Sequence, residues 1–368
     1  MLKTGTKYIV VDAREFAPGK SSGIGRVLEG LVDALAESDI VREIILPISF
    51  CDTVPLLLKN REKIRILETP YSFFKSEKFI TNLTKNGASA FISPYPKLPL
   101  FGCHCDAIHT VHDVLDLTHP AYRKRYKVFF DGFRLKRALK KAALTWYDSS
   151  WSLQETKKYA GSPGNNHKIR FPGVDKSFNT ERQNNEENVL KQYELTSEYI
   201  LVLGNGSPHK NLGGLLEISD QISKEFVFAG VSKKNQGYWK SRHPRATAKW
   251  IDHILEEDLP SIIRGAFCLA QPSTAEGYGY PPLEAMSCGV PAVVSNIPVL
   301  VETTGGNALK ADPNDNREWI QAFEALEKKD IYQNQLKKGL KWVQPLWGRR
   351  GWEGHILDVE ELVRRSQK

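Results

Sequence analysis

Strand-like apolar runs alternate with segments of helical periodicity along the whole 368-residue chain. This alternation narrows the fold to parallel sheets covered by helices. In the first half it predicts strands over 8–12, 43–47, 64–67, 90–93, 107–111 and 144–147, with helices over 24–36 and 121–141. Residues 176–197 turn polar, as an exposed segment between domains would. A second series then predicts strands over 199–203, 225–229, 247–251, 266–271 and 292–294, with helices opening near Leu212, Glu257 and Pro282. The expected architecture is α/β, with two doubly wound Rossmann-like domains, 1–175 and 176–350, facing a cleft. Ligand belongs at the carboxyl ends of the strands. Residues 351–368, apolar at helical spacing from Trp352 to Arg365, are expected to cross back onto the first domain.

Composition excludes several classes. No apolar run approaches bilayer length, and the start, Met-Leu-Lys-Thr-Gly-Thr-Lys, leads straight into a strand with no signal-peptide pattern. The cysteines at 51, 103, 105, 268 and 288 are odd in number and lack paired-motif spacing, which fits reduced thiols in the cytosol. The net charge of +8 calls for an anionic partner, and the excess is local. Residues 122–144 carry Arg123, Lys124, Arg125, Lys127, Arg134, Lys136, Arg137, Lys140 and Lys141 against the single acid Asp131, interleaved with Tyr126, Phe129, Phe130 and Phe133. A basic helix with aromatics reads as binding a membrane surface. The alternative is a core-packed helix with a solvated outer face. No nucleic-acid recognition signature accompanies it.

The run Glu276-Gly-Tyr-Gly-Tyr-Pro-Pro-Leu-Glu284 places two carboxylates eight residues apart around a Gly-X-Gly turn and a double proline. Pro281 and Pro282 suit the first turn of a helix, and Gly289 with Pro291 supplies a stop. Glu276 is then expected in the loop before a short helix and Glu284 in its first turns. Carboxylates accept from sugar hydroxyls, and free N–H groups at a helix start favour phosphate oxygen. Together they suit a nucleotide-sugar pocket.

Three further motifs follow strands. Gly23-Ile-Gly25-Arg26 comes after the flexible Pro-Gly-Lys-Ser-Ser run and opens a helix, a place for backbone amides to hold phosphate or sugar. Gly204-Asn205-Gly206-Ser-Pro-His209-Lys210 offers close backbone approach and a cation for a diphosphate. Neither is a full dinucleotide fingerprint or a P-loop. His112-Asp113 ends a strand, with the imidazole expected to meet substrate and Asp113 to orient it or cap the next turn. His104, His109, Asp116 and His119 stand nearby in sequence, but their spacing fits no zinc pattern, and a strand sends His109 and His112 to opposite faces.

In this order the motifs resemble glycosyltransferase family 4, the retaining transferases of GT-B fold. The resemblance runs over nearly the full length, through Asp12-Ala-Arg14, Gly23–Arg26, Thr110-Val-His-Asp113, Phe171-Pro-Gly-Val-Asp175, Gly204–Asn211, Pro272–Glu276 and Glu284–Pro291. It implies an N-terminal acceptor domain and a C-terminal nucleotide-sugar domain. It implies that Glu284 holds the ribose hydroxyls, and that Glu276 with the Gly277, Tyr278, Gly279 and Tyr280 backbone holds the donor sugar. Lys210 would bind the diphosphate, and His112 would meet the sugar near its anomeric carbon. Asn205 stands where many relatives carry arginine, so diphosphate binding would rest on Lys210, His209 and the Gly23–Gly25 amides. Phe171 is a second departure, at a position where relatives often have an aliphatic residue.

The resemblance implies metal-independent transfer of a hexosyl group, from GDP-mannose first and UDP-sugars second, to a glycan or lipid-linked saccharide of a surface-polysaccharide pathway. The expected location is cytoplasmic, peripheral on the inner face of the cell membrane. Two alternatives are a non-catalytic partner subunit of the same fold and an NAD-dependent oxidoreductase. The second needs a Gly-x-Gly-x-x-Gly with a later acid, which neither half provides.

Overall fold

The computed structural model describes residues 7–16, 23–122, 125–196 and 198–367. The chain divides into two compact units, Met1–Gly173 with Gly348–Lys368, and Val174–Trp347. The expected boundaries at 175 and 350 thus lie within three residues of the observed ones.

The first unit is built on a seven-stranded sheet. Its strands are β1 Tyr8–Val11, β2 Ile44–Ile48, β3 Ile64–Glu68, β4 Ala88–Ser93, β5 Asp106–Val111, β6 Leu144–Tyr147 and β7 His167–Ile169. They are all parallel, in the order β3-β2-β1-β4-β5-β6-β7. β1 and β2 are buried along their whole length, as strands covered on both faces must be. The second unit has six parallel strands, β8 Tyr199–Leu203, β9 Phe226–Ala229, β10 Ala248–Ile251, β11 Ala266–Gln271, β12 Ala292–Ser295 and β13 Leu309–Ala311, ordered β10-β9-β8-β11-β12-β13. Both sheets reverse direction of winding beside their first strand, between β1 and β4 and between β8 and β11. That crevice is where a doubly wound fold takes its ligand.

The predicted strands all form. Two edge strands, β7 and β13, escape the sequence pattern, because each has only three residues, one of them a lysine, and carries no apolar run. The stretch around 176–197 is largely exposed, as expected, but it lies inside the second unit and is not a linker. It folds into the helix Glu186–Gln192, which buries Val189, and Leu195 is buried behind it. Glu186 pairs there with Arg264 of the helix Leu259–Gly265. The apolar Val189, Leu190 and Leu195 at near-helical spacing outweigh the polar composition around them. The predicted 121–141 helix runs from Arg125 to Lys141.

The last helix, Glu353–Arg365, belongs to the first unit. Asp358, almost wholly buried, holds it there by accepting from Trp146 Nε1 at 2.9 Å, Lys168 Nζ at 2.6 Å and Arg170 Nε at 2.8 Å. Trp352 covers Gly30 and Gly173 so closely that an added Cβ would lie 2.7 and 2.5 Å from its ring. Removing one partner of such a buried ionic group costs about 3 kcal/mol. Asp358→Ala is therefore expected to lose about that much stability, read as a lower urea midpoint.

Candidate functional site

The second unit assembles its motif residues at the β8/β11 switch point. The loop after β8 needs glycine at 206, which has φ +70° and whose added Cβ would lie 2.8 Å from Val231. Asn235 Nδ2 donates to Asn205 O at 2.6 Å, and Trp239 Nε1 donates to Gly206 O at 3.0 Å, so the helix Lys233–Arg242 after β9 braces this loop. The Asn205 side chain accepts from Ser207 N at 3.0 Å and is thus used inside the turn. Pro208–Lys210 form a single tight turn, and Thr274 N donates to His209 O at 2.8 Å, which stitches this loop to the one after β11.

That stitching brings Lys210 to Glu276. The ammonium lies 2.7 Å from Glu276 Oε1, an oxygen that also accepts from Gln271 Nε2 at 2.6 Å and Ser273 Oγ at 2.6 Å. Burial raises the Glu276 pKa, but Lys210 and the hydroxyl outweigh it and hold the carboxyl below its ordinary value. Gln271 and Ser273 are functional candidates that the sequence reading missed. The available signal was Gln271 itself, a polar residue closing the apolar strand β11 at its carboxyl end.

Glu276 is followed by the expected turn and helix. Gly279 sits at φ +92°, with an added Cβ only 2.4 Å from Leu300, so only glycine fits the start of the helix Tyr280–Ser287. Pro281 and Pro282 occupy its first turn, and Glu284 is buried within it. The Tyr278 and Tyr280 rings pack edge to face at 5.1 Å. Gly289 at φ +73° ends the helix, with Val290 N donating to Ala285 O.

The other motif residues stand in the first unit. Gly23 opens the helix Gly23–Ala36, which includes Gly25. The Pro-Gly-Lys-Ser-Ser run before it lies outside the described residues. His112 follows β5, and both its ring nitrogens are engaged, Nδ1 with Asp148 Oδ2 at 2.5 Å and Nε2 with Pro94 O at 2.9 Å. Burial disfavours the charged ring, yet the Asp148 carboxylate outweighs it and holds the His112 pKa above its ordinary value. Asp113 instead accepts from Leu115 N at 2.8 Å, so it caps the following turn and Asp148 does the orienting. Asp148 was overlooked although it ends β6 as His112 ends β5. His109 is apart from both, fully buried against Thr145 Oγ1, with its pKa driven down to about 3 by burial. Among the described residues, no three His, Cys, Asp or Glu side chains are grouped as metal ligands.

Residues 184–341 match the family of glycosyl transferases group 1. That match covers less than half of the chain, and it is this stretch that resembles the family. Over 220 residues the chain is 30% identical to O-antigen chain mannosyltransferase B of Escherichia coli, a match covering 57% of this chain and 58% of that protein. It thus aligns with less than two thirds of that relative's length. Sucrose-phosphate synthase from Thermosynechococcus elongatus superposes with TM-score 0.77 at 16% identity, covering 98% of this chain and 99% of the other. Anabaena HepE in complex with UDP-glucose follows at TM-score 0.73 and 13% identity, covering 98% and 99%. The fold of the chain is therefore GT-B, with two Rossmann-like domains.

The His112–Asp148 pair makes stability depend on pH. Because the folded pKa is raised, its contribution is complete below the unfolded value of about 6.5 and is lost as pH rises through the higher folded value. Asp148→Asn is expected to flatten this dependence. Urea titrations on either side of the window check it, and an unchanged slope would deny the pair its role.

Proposed function

We propose that this chain is a glycosyltransferase that moves a hexosyl group from a nucleoside-diphosphate sugar to a hydroxyl of a glycan or lipid-linked saccharide, with retention of configuration. The observation carrying this reading is the Lys210–Glu276 contact of 2.7 Å between the loops that follow β8 and β11. It sets a cation for a leaving diphosphate beside a carboxylate for sugar hydroxyls, at the crevice where such folds take nucleotides. The likeness to an O-antigen mannosyltransferase favours GDP-mannose as donor, and the UDP-glucose of HepE makes UDP-sugars the second choice.

Glu284 then pairs with the ribose hydroxyls, and Glu276 with the Gly277–Tyr280 backbone takes the sugar. Glu276 and the donor phosphates compete for Lys210, so donor binding exchanges the ion pair for a charge-assisted contact to phosphate. Bond cleavage places negative charge on the diphosphate, and a preorganised ammonium lowers that barrier without metal. The Asn205 side-chain oxygen is used inside its own turn, which leaves its amide nitrogen, His209 and the backbone amide of Gly206 as further phosphate contacts in the second unit. His112 reaches the sugar only by exchanging a ring bond, and the neutral Pro94 carbonyl is the partner to release. A nucleotide-release assay over a panel of donors tests the activity. Silence with every donor would leave a non-catalytic subunit of the same fold.

Lys210→Ala is expected to lower turnover about 100-fold, in line with removal of a preorganised charge stabiliser, and more than His209→Ala. Comparable losses would move the phosphate role to the histidine. Turnover is expected to survive EDTA, and loss that manganese or magnesium restores would overturn the metal-free reading. Glu284→Ala should lose roughly 2 to 4 kcal/mol of nucleotide contacts, seen as an abolished thermal shift with GDP or UDP.

The proposed location is the inner, anionic face of a membrane. Among the described residues no helix is long and apolar enough to span one. The helix Arg125–Lys141 buries Leu135, Ala138 and Leu139 but exposes Tyr126 by 75%, Phe129 by 81%, Phe130 by 42% and Phe133 by 58%. A merely solvated face would carry the lysines without these rings. Each Lys or Arg near an anionic surface adds about 1 kcal/mol, so liposome flotation should fall with salt and with Lys136/Arg137/Lys140/Lys141→Glu. Equal flotation of variant and wild type would return this helix to a solvated role.

A further inference from the structure

Unit one has its own switch point between β1 and β4, and the loops that follow these strands bring charge to it. Asp12 and Arg14 come from the first loop, and Lys97 comes from the second. Glu77 and Arg134 reach the same place from the helices Phe73–Lys85 and Arg125–Lys141. Both carboxylates are saturated. Asp12 takes a fork from Arg14, at 2.8 Å to Oδ1 and 2.7 Å to Oδ2. Glu77 Oε1 accepts from Arg14 at 3.1 Å and Arg134 at 3.4 Å, and Oε2 accepts from Leu100 N at 2.8 Å.

Three cations therefore face two anions, and Lys97 is the one left over. Its ammonium stands 4.3 Å from the Tyr95 ring centroid and makes no hydrogen bond or ion pair among the described residues. Burial, with Arg14 and Arg134 adding to it against Asp12, lowers the Lys97 pKa. Lys97 is half-buried, and lysines that give up part of their hydration this way usually have a partner.

Beside this cation lies an apolar shelf. Phe73 and Phe74 open the helix Phe73–Lys85 with ring centroids 5.4 Å apart, and Phe101 lies 6.5 Å from Phe74. All three are exposed. The Arg134 guanidinium spans the two features, paired to Glu77 and lying 6.0 Å from the Phe73 ring. A grouped set of exposed aromatics marks an interaction site.

We propose that Lys97 and the Phe73/Phe74/Phe101 shelf form a binding site for one phosphoryl amphiphile, its phosphate on Lys97 and its hydrocarbon on the rings. A bilayer plane is not the occupant, because a flat surface meets exposed lysines such as Lys140 and Lys141, not a half-buried ammonium set against Tyr95. The proposal deepens the reading of the chain as a transferase with a lipid-linked acceptor: the site holds the phosphorylated lipid end of that acceptor.

Calorimetry on the full chain with dodecyl phosphate below its micelle concentration tests it, with dodecyl maltoside, inorganic phosphate, and phosphatidylglycerol or phosphatidylcholine vesicles as separate arms. Dodecyl phosphate is expected to bind and the maltoside to bind weakly or not at all. Lys97→Met should weaken dodecyl phosphate about ten-fold or more, as loss of a buried charge partner does, while Lys97→Arg restores it. Phe74→Ser/Phe101→Ser should weaken dodecyl phosphate and leave inorganic phosphate unchanged. Lys97→Met should float on phosphatidylglycerol vesicles as the wild type does. Equal dodecyl phosphate affinity for wild type and Lys97→Met overturns the site, and so does loss of flotation in Lys97→Met, which would make the lysine part of the membrane-facing surface. Thermal shifts with GDP or UDP report on the nucleotide-sugar reading separately, so failure of either proposal is distinguishable from failure of the other.

Discussion

Parallel pairing of β1 with β4, and of β8 with β11, governs where every candidate residue stands. Strands buried on both faces leave no room for charge within the sheet, so polar groups collect in the loops at the carboxyl ends. At the switch point the two neighbouring loops lead to helices on opposite faces, and a crevice opens between them. Lys210 and Glu276 come from two such loops in the second unit, as do Arg14 and Lys97 in the first. The same topology thus produces two polar centres in one chain.

These centres differ in how their charges are balanced. In the second unit a single carboxylate oxygen gathers Lys210, Gln271 and Ser273, which keeps Glu276 ionised and the ammonium fixed. Breaking a buried pair is costly unless another charge replaces the lost one, and a diphosphate is such a replacement. In the first unit the arginines consume the carboxylates and leave Lys97 against an aromatic face. His112 takes a third course, with both ring nitrogens bound to the protein itself. A fixed ring of this kind adds charge and shape to its surroundings before it adds a hydrogen bond to anything else.

Much of this was legible in the sequence. Long buried strands announce themselves as apolar runs, and the turn before Tyr280–Ser287 follows from glycine and proline, whose backbone limits hold in any context. Gly279, Pro281, Gly289 and Glu284 lie where local chemistry puts them. By the same logic, β7 and β13 were invisible, since three-residue edge strands draw their stability from a neighbour and not from their own pattern. The helix Glu186–Gln192 was hidden by polar residues around a narrow apolar stripe.

The amino-acid sequence by itself determined the element types, the two α/β halves and the carboxylates and cations available for chemistry, because periodicity and backbone restriction act over a few residues. Tertiary structure alone decided the pairings. That Asp148 and not Asp113 orients His112, that Gln271 and Ser273 join Lys210 on Glu276, and that Arg134 bridges Glu77 to Phe73 all depend on contacts between residues far apart in the chain. Such contacts arise only when the strand order has set which loops are neighbours, and the strength of a charge pair depends on burial that no local stretch contains.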